Sequence, residues 1–388
     1  MRDLLDAEYP QFGRPEMERR RHLLSAAATE AGLDHVLIRE AGRAGSAVQW
    51  LTGWPVTHEA IVLLTPGERP ALFVDHYNHL LMAERLAVDC DVLWGERNGL
   101  EVALAALRRR PRGRGRLGVI GAMSSGQHER LSDHASAIHD LNAAYTRLRL
   151  VKSAEEINWL RVGAHLTDLG LDSLVRRLRI GESEHRLADH VERGYVPHGG
   201  ATLIHFFGIT AMAEPDCCVP RQFTSNRAIR QGDVLFTEIS GQFWFHPGQV
   251  LRTYFVGEDP PVLFRELSEV AAAAFDAVAG VLRPGARPEQ VVEAASVIED
   301  AGFSVWDDLV HGFGGGYLPP VIGSRSRPAG PLPDLTFEAG MTVVVQPNVV
   351  TRDGRAGVQT GEMVLITEDG CESLHHAPPG FVRIDPSE

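Results

Sequence analysis

The stretch that most constrains the fold of this 388-residue chain is residues 232–257, GDVLFTEISGQFWFHPGQVLRTYFVG. It contains two apolar runs, Val234–Ile239 and Val250–Val256, joined by a segment with glycine and proline. Two such runs around a turn segment predict a β-hairpin. On this hairpin, Glu238 near the end of the first run and Gln249 just before the second can face the same cavity.

The composition excludes several classes of protein. Hydrophobic residues make up 44% and charged residues 23%, which is typical of a soluble globular protein. A net charge of −13 argues against a nucleic-acid partner, and the lack of an apolar run near 20 residues argues against a membrane partner. The N-terminus has no apolar signal region, and the four cysteines have no regular spacing. We therefore expect a cytoplasmic protein.

Residues 1–151 predict an N-terminal α/β domain. A helical pattern over residues 16–32 precedes the strand-like HVLIRE, and Pro66-Gly67 marks a turn between two further apolar runs. Two helix–strand units follow, and their strands are predicted at RLGVI, residues 116–120, and AYTRLRLV, residues 144–151. Alternation of strands and helices over this length indicates α/β architecture.

Residues 152–388 predict a second domain with a different pattern. Ser153 and Glu156 form a capping box that opens a long amphipathic helix. Three further helices are predicted at Glu184–Tyr195, Pro261–Leu282 and Pro288–Gly302. The whole chain is therefore expected to be α/β, in the mixed α+β sense.

Several segments of the second domain resemble one family in order and spacing. They are VKSAEEINWLRVG, IGESEHRLADHVE, the hairpin, HGFGGG, FEAGMTVVVQPNVV and GVQTGEMVLITEDG. Together they resemble the pita-bread family of M24 peptidases, which includes methionine and proline aminopeptidases, prolidase and creatinase. The resemblance covers residues 152–373, and more loosely WLTGW at residues 50–54. It implies a creatinase-like N-terminal domain, a C-terminal pita-bread domain and a homodimer.

The resemblance also implies five positions at which metal-dependent members carry two aspartates, a histidine and two glutamates. By position, this chain has at these places Glu238, Gln249, His311, Gln346 and Gly361. Amides are poor ligands for transition metals and glycine offers no side chain. The sequence therefore predicts no metal ligands and no cofactor. Glu362, beside the lost ligand, is expected to point to the other face of its strand.

Creatinase, the metal-free member of the family, provides a second comparison. It uses a histidine and two glutamates, and the corresponding positions here are Arg221, Leu251 and Gln346. The resemblance therefore extends to the fold of both classes and to the catalytic residues of neither.

Glu238 and His311 remain as candidate catalytic residues. A carboxylate and an imidazole can act together as a general acid and base. We expect them to hydrogen-bond directly or through one water, with the pKa of His311 raised by the carboxylate. Arg221 is expected to hold a substrate carboxylate. The other candidate substrate-binding residues are Gln249, Gln346, His205, His246, Tyr317, His58 and Trp54, of which the last two would reach the partner subunit's cavity.

These residues favour a metal-independent enzyme that acts on a small polar metabolite. The expected reaction is C–N bond hydrolysis, or a related cleavage or rearrangement, by a hydrolase or lyase of the creatinase type. Two alternatives stay open: a catalytically silent ligand-binding protein, and a metal-dependent hydrolase similar to Xaa-Pro peptidases with unusual ligands. Participation of Cys217 or Cys218 is open as well, although packing is the simpler role for both.

Overall fold

The computed structural model describes residues 1–42 and 47–385. The chain divides into two compact units. The N-terminal unit is Ala7–Arg149, and the C-terminal unit combines Met1–Asp6 with Leu150–Glu388. This division after residue 149 lies close to the domain boundary after residue 151 that the sequence predicts.

The N-terminal unit is built around one mixed sheet. The helices of this part of the chain are α1 (Arg2–Leu5), which belongs to the C-terminal unit, and α2 (Arg14–Glu30), α3 (Ala47–Thr52), α4 (Leu80–Leu86), α5 (Gly99–Leu107), α6 (Ser125–Ser132) and α7 (Asn142–Leu148). The strands are β1 (His35–Ala41), β2 (Glu59–Leu64), β3 (Ala71–Val74), β4 (Asp91–Trp94), β5 (Arg116–Ile120) and β6 (Ala137–Asp140). Their order is β4-β3-β2-β1-β5-β6, with β1, β2 and β3 antiparallel and the outer pairs parallel.

One predicted element of this unit is wrong. The segment AYTRLRLV was predicted as a strand, whereas residues 142–148 form α7 and the edge strand β6 lies before it. The side chain of Asp140 accepts a hydrogen bond from the backbone N–H of Asn142 at 2.7 Å. This bond satisfies a free donor at the start of the helix, an effect of local side-chain chemistry that the apolar pattern does not reveal.

The C-terminal unit has helices in the segments where the sequence predicts them. They are α8 (Ala154–Arg177), α9 (Glu184–Tyr195), α10 (Val262–Val281), α11 (Pro288–Ala294) and α12 (Val297–Asp300). The predicted capping box is present, because the Ser153 side chain accepts from the Glu156 N–H while the Glu156 side chain accepts from the Ser153 N–H. The last predicted helix is divided into α11 and α12.

The strands of this unit form one large sheet and one small sheet. They are β7 (Ala201–Ala211), β8 (Asp233–Phe243), β9 (His246–Pro247), β10 (Val250–Val256), β11 (Ser304–Val305), β12 (Val310–Phe313), β13 (Tyr317–Ile322), β14 (Thr342–Val345), β15 (Asn348–Val350), β16 (Gly357–Gln359), β17 (Gly361–Ile366), β18 (Cys371–Ser373) and β19 (Phe381–Ile384). The main path of the large sheet is β13-β12-β14-β17-β10-β8-β7, and the small sheet is β11-β15-β16. The path brings β8 and β12 into the same sheet although they are distant in sequence.

The predicted hairpin is formed by β8 and β10, and its turn is tighter than expected. Strand β8 continues to Phe243 and pairs with the short β9 around Trp244 and Phe245. These two residues have φ angles of 48° and 66°, the left-handed conformations that a two-residue hairpin turn requires. Across the hairpin, Glu238 pairs with Leu251, which places Gln249 next to the Glu238 side chain.

The sheets bury a large apolar core. One cluster packs α10, α11 and α12 against strand residues such as Phe236, Val343 and Val364, and a second packs α8 against Leu251 and Met363. Within residues 1–42 and 47–385, no helix combines the length and apolarity needed to cross a membrane.

Candidate active site

Four polar side chains form a buried row that links the hairpin to the neighbouring strands. Gln249 Nε2 donates a hydrogen bond to Glu238 Oε1 at 2.9 Å and another to Gln346 Oε1 at 3.3 Å. The side chain of Gln346 in turn hydrogen-bonds His311. All four residues are at least nine-tenths buried. We call Glu238, Gln249, Gln346 and His311 the buried row.

His311 is held in one orientation by β12 and by an aromatic neighbour. Its strand pairs with β13 on one side and with β14 on the other. The ring nitrogen Nδ1 lies 3.1 Å from the carbonyl oxygen of Gly312. Because a carbonyl only accepts, Nδ1 carries the proton of the neutral ring and Nε2 keeps its lone pair. The ring of Tyr317 stacks on His311 at 4.1 Å, and Tyr317 is 55% exposed although His311 is buried.

Burial moves the two titratable groups of the row in opposite directions. It raises the pKa of Glu238 to about 8, with a further rise from the nearby Asp307 carboxylate. The Gln359 amide beside Glu238 partly offsets this rise. Burial also lowers the pKa of His311 to about 4. Near neutral pH, Glu238 is therefore protonated and His311 is uncharged.

One expectation about this pair is wrong. The pKa of His311 is lowered and not raised, because loss of hydration outweighs the opposing effects of the Gly312 carbonyl, the Asp308 carboxylate and the Gln346 side chain. The hydrogen bonds of Glu238 and His311 within the row go to Gln249 and Gln346, and a link between the two residues through one water stays a prediction. An ion pair in this position would require two desolvated charges, whereas the neutral pair requires none.

The structure adds Asp307, Asp308 and Gln359 to the site, three polar residues that sequence reasoning missed. Tyr317 donates its hydroxyl hydrogen bond to Asp308 Oδ2 at 2.6 Å. Burial raises the pKa of the adjacent Asp307. The side-chain amide of Gln359 is buried beside Glu238, and its nitrogen and oxygen do not form a hydrogen bond of good geometry with any described residue. The acidic pair in WDDLVHG, three and four residues before the histidine, was a signal that could have revealed the two aspartates.

Three predicted substrate-binding residues instead contact the helices that cover the sheet. His205 Nε2 lies 2.8 Å from the Tyr195 hydroxyl of α9. Arg221 Nη1 lies 3.7 Å from Glu184 Oε1 at the start of the same helix. The ring of His246 packs against a tryptophan of α8, with ring centroids 5.1 Å apart. The side-chain contacts of these three residues are therefore with α8 and α9, although the backbone of His205 pairs with Ile239, next to Glu238.

The remaining candidates have simple structural surroundings. Trp54 is buried in the N-terminal unit, and His58 in that unit lies 3.0 Å from Asp75. Cys217 and Cys218 are buried, and burial raises the pKa of both thiols, that of Cys218 to about 11, which disfavours the nucleophilic thiolate. Both have the packing role that the sequence favours.

Glu362 does not return to the lost ligand position. Its Oε2 accepts a hydrogen bond from Arg252 Nη2 at 2.5 Å, and both side chains are almost fully buried. Arg252 also donates to the backbone oxygens of Leu251, Gly361, Ala377 and Pro378. This internal ion pair ties the hairpin to β17 and the C-terminal segment.

The ligand positions of the metal-dependent relatives do not fit a two-metal centre here. Only Glu238 and His311 offer good ligand atoms, and Gln249 directs an N–H donor toward Glu238 Oε1. A Cβ atom at Gly361 would lie 2.2 Å from the Val345 carbonyl oxygen, so an acidic side chain could not be accommodated there without a backbone shift. Among the described residues, the group of three side chains close enough to share an ion lies in the N-terminal unit.

The fold and the sequence together identify the family. The unit with the large mixed sheet and the N-terminal α/β unit have the architecture of pita-bread hydrolases. The family model for metallopeptidase family M24 matches residues 158–368, which is more than half of the chain. The chain belongs to this family, as the hairpin and helix motifs predicted.

Curated relatives and solved structures agree with this assignment. "Probable dipeptidase PepE" from Mycobacterium tuberculosis is 29% identical over 244 residues, 61% of this chain and 62% of the relative. Ectoine hydrolase from Halomonas elongata is 25% identical over 247 residues, 62% of this chain and 61% of that protein. The chain thus spans about three fifths of the length of the curated relatives it matches.

Among solved structures, dipeptidase PepE from Mycobacterium ulcerans superposes with a TM-score of 0.79 at 22% identity, covering 97% of this chain and 100% of that one. Prolidase from Pyrococcus furiosus gives a TM-score of 0.77 at 19% identity, covering 91% and 99%. At these identities the superpositions establish the fold alone.

Proposed function

We propose that the chain is a metal-independent hydrolase that cleaves a C–N bond of a small polar metabolite, with Glu238 and His311 as its acid and base. The observation that carries the proposal is the pair of opposite pKa values, about 8 for Glu238 and about 4 for His311, along one hydrogen-bonded row. When the surroundings separate the pKa values of two titratable groups in this way, the group with the raised pKa can act as the acid and the group with the lowered pKa as the base.

The reaction follows from these protonation states. A water that replaces the Gln346 amide at His311 Nε2 gives a proton to that nitrogen as the water oxygen forms a bond to the carbon of the scissile C–N group. Protonated Glu238 donates its proton to the leaving nitrogen, and the C–N bond breaks. The products are an acid and an amine. The ring of His311 then returns its proton through solvent while Glu238 is reprotonated, which restores the neutral pair.

The charges around the row favour a substrate that is rich in N–H groups. Asp307 and Asp308 lie beside Tyr317 and Glu238, and Gln249 Oε1 is buried without a hydrogen-bond partner among the described residues. Each of these atoms accepts hydrogen bonds. The relatives support hydrolysis as the reaction class, because a dipeptidase and ectoine hydrolase are both named for it.

The first test measures turnover of small C–N substrates by the full-length protein after treatment with chelator. Ectoine and a set of dipeptides serve as probes, and product acid and amine are followed by NMR. We expect turnover of at least one small polar amide or amidine that is unchanged by chelator. Proline-containing dipeptides form the comparison set, because they represent the metal-dependent peptidase reaction.

Two results would overturn the proposal in different ways. Turnover that requires a divalent ion, together with loss of that ion from His311→Asn, would establish a metal-dependent hydrolase. Stoichiometric binding of a probe without any product would establish a ligand-binding protein. The His311→Asn variant is part of this criterion because it removes a residue of the buried row. An ion that binds elsewhere on the chain would still bind this variant and would not count as a metal of the active site.

A further inference from the structure

A cluster of potential metal ligands lies at the open end of the β2–β3 hairpin in the N-terminal unit. His58 directly precedes β2, and Asp75 and His76 directly follow β3. The two strands are antiparallel, and the Asp75 N–H donates to the Glu59 carbonyl oxygen at 3.3 Å. Pairing of the strands therefore brings residues 17 and 18 positions apart into contact. We call His58, Asp75 and His76 the hairpin-end cluster.

The ligand atoms of this cluster have spacings that suit one ion. Asp75 Oδ2 lies 3.0 Å from His58 Nδ1 and 3.6 Å from His76 Nδ1. Each of the three residues offers one ligand atom that lies within 4.8 Å of the other two. Ligands bound to Zn²⁺ at 2.0–2.2 Å in a tetrahedron are about 3.3 Å apart. The two spacings to Asp75 are already close to this value, and small side-chain rotations would bring the imidazoles together.

The cluster also has the chemistry and the access that an ion needs. Two imidazoles and one carboxylate suit Zn²⁺, Ni²⁺, Co²⁺ or Cu²⁺ better than Ca²⁺ or Mg²⁺, which prefer oxygen ligands. The side chain of Asp75 is 11% exposed and therefore fixed, whereas that of His58 is 63% exposed. An ion can thus enter from solvent and keep a water in its remaining position. His79 packs edge-on against His76 at 5.1 Å and completes a histidine-rich surface.

We propose that the hairpin-end cluster binds one divalent transition-metal ion through His58 Nδ1, Asp75 Oδ2 and His76 Nδ1. The site is separate from the ligand positions that metal-dependent relatives use, and it does not rest on the proposed hydrolase activity. It would make the protein metal-binding where the sequence predicts no metal ligands.

The test is a titration of chelator-treated, full-length protein with Co²⁺ and with Zn²⁺. We expect one equivalent of Co²⁺ to produce the visible absorption of a four-coordinate ion, and Zn²⁺ to displace it. The His58→Ala, Asp75→Asn and His76→Ala variants should each weaken binding at least about tenfold, since loss of even an outer-shell partner of a metal ligand typically costs this much. The matched control is His22→Ala, which removes an exposed histidine of α2 in the same unit.

A second readout guards against variants that fold poorly. One equivalent of Zn²⁺ should raise the melting temperature of the wild type and of His22→Ala, and should leave that of Asp75→Asn unchanged. The proposal is overturned if no ion binds at a ratio of one to one. It is equally overturned if all three cluster variants retain wild-type affinity. Loss of the Zn²⁺ effect in the folded Asp75→Asn variant supports it directly.

Discussion

The buried row and the hairpin-end cluster contain the same kinds of side chain, a carboxylate and imidazole, in opposite surroundings. In the row, Glu238 and His311 are buried and separated by two amides, and both are neutral near pH 7. In the cluster, one carboxylate oxygen lies between two accessible imidazoles. If the row excludes a metal and the cluster binds one, as we propose, then ligand-type residues alone do not define a metal site. Two further properties decide which chemistry is available: whether ions from solvent can reach the carboxylate and the imidazole, and which side chains lie between these two groups.

The largest expected effect is on turnover. Glu238→Gln and His311→Asn should each reduce kcat by roughly 10²–10⁴-fold, because each removes one partner of the acid–base pair. His205→Asn is the matched control, since burial lowers the pKa of this histidine to about 4 as well, yet it contacts Tyr195 and not the row. Steady-state kinetics on the three folded variants provide the measurement. Equal losses in all three would mean that His311 has no special role.

The next effect tests whether the two amides exclude a metal from the row. Gln346→Glu in an Asp75→Asn background restores a carboxylate there and removes the hairpin-end cluster. Without a cation, the added acid should reduce the free energy of unfolding by about 1–3 kcal/mol, the cost of an unsatisfied buried polar group. Mn²⁺ or Zn²⁺ should restore part of this loss. Thermal unfolding with and without the ion measures both, and the Asp75→Asn variant alone is the control. An unchanged stability in chelator would contradict the argument.

The third effect is on the pH dependence of stability. The folded-state pKa of Glu238 is raised from 4.5 to about 8, so its contribution to stability is complete below pH 4.5 and is lost as the pH rises toward 8. For His311 the pKa is lowered from 6.5 to about 4, so its contribution is complete above pH 6.5 and is lost as the pH falls toward 4. Glu238→Gln should therefore remove a slope of up to about 1.4 kcal/mol per pH unit between pH 5 and 8.

Denaturant unfolding at several pH values measures this slope. The His311→Asn variant should keep the Glu238 slope above pH 6.5, and below pH 6.5 it should lose the opposite slope of His311, so that its stability falls with rising pH there as well. If Glu238→Gln and the wild type show parallel curves across pH 5 to 8, then Glu238 ionises normally in the folded protein. In that case the assignment of Glu238 as the acid fails.

The smallest expected effect is at the hairpin-end cluster in the absence of metal. His58→Ala should change the free energy of unfolding by no more than about 0.5 kcal/mol in chelator, because the side chain is 63% exposed. A large loss in chelator would mean that the His58–Asp75 contact itself stabilises the fold. Denaturant unfolding in chelator distinguishes the two cases, and it sharpens the contrast with the buried row.

Much of the fold could be predicted because its signals are local. The Ser153–Glu156 capping box, the helix Glu184–Tyr195 and the hairpin at residues 232–257 are all contained within short windows of sequence. The failures were local as well. Asp140 starts a helix in a segment whose apolar pattern suggested a strand, and one predicted helix is divided in two.

By itself, the sequence determined the family and the identity of the residues at each former ligand position. It also predicted that Glu362 is directed away from the lost ligand position, and the structure pairs this residue with Arg252. These conclusions depend on motifs and on strand alternation, which a single chain displays directly.

Only the tertiary structure decided the protonation states and the partners of the candidate residues. Gln249 joins Gln346 across 97 positions of sequence, and burial then sets the pKa values of Glu238 and His311. Strand pairing likewise creates the hairpin-end cluster. The physical reason is that hydration, Coulomb energy and ligand spacing depend on distances through space, which residues far apart in sequence acquire only when the chain folds.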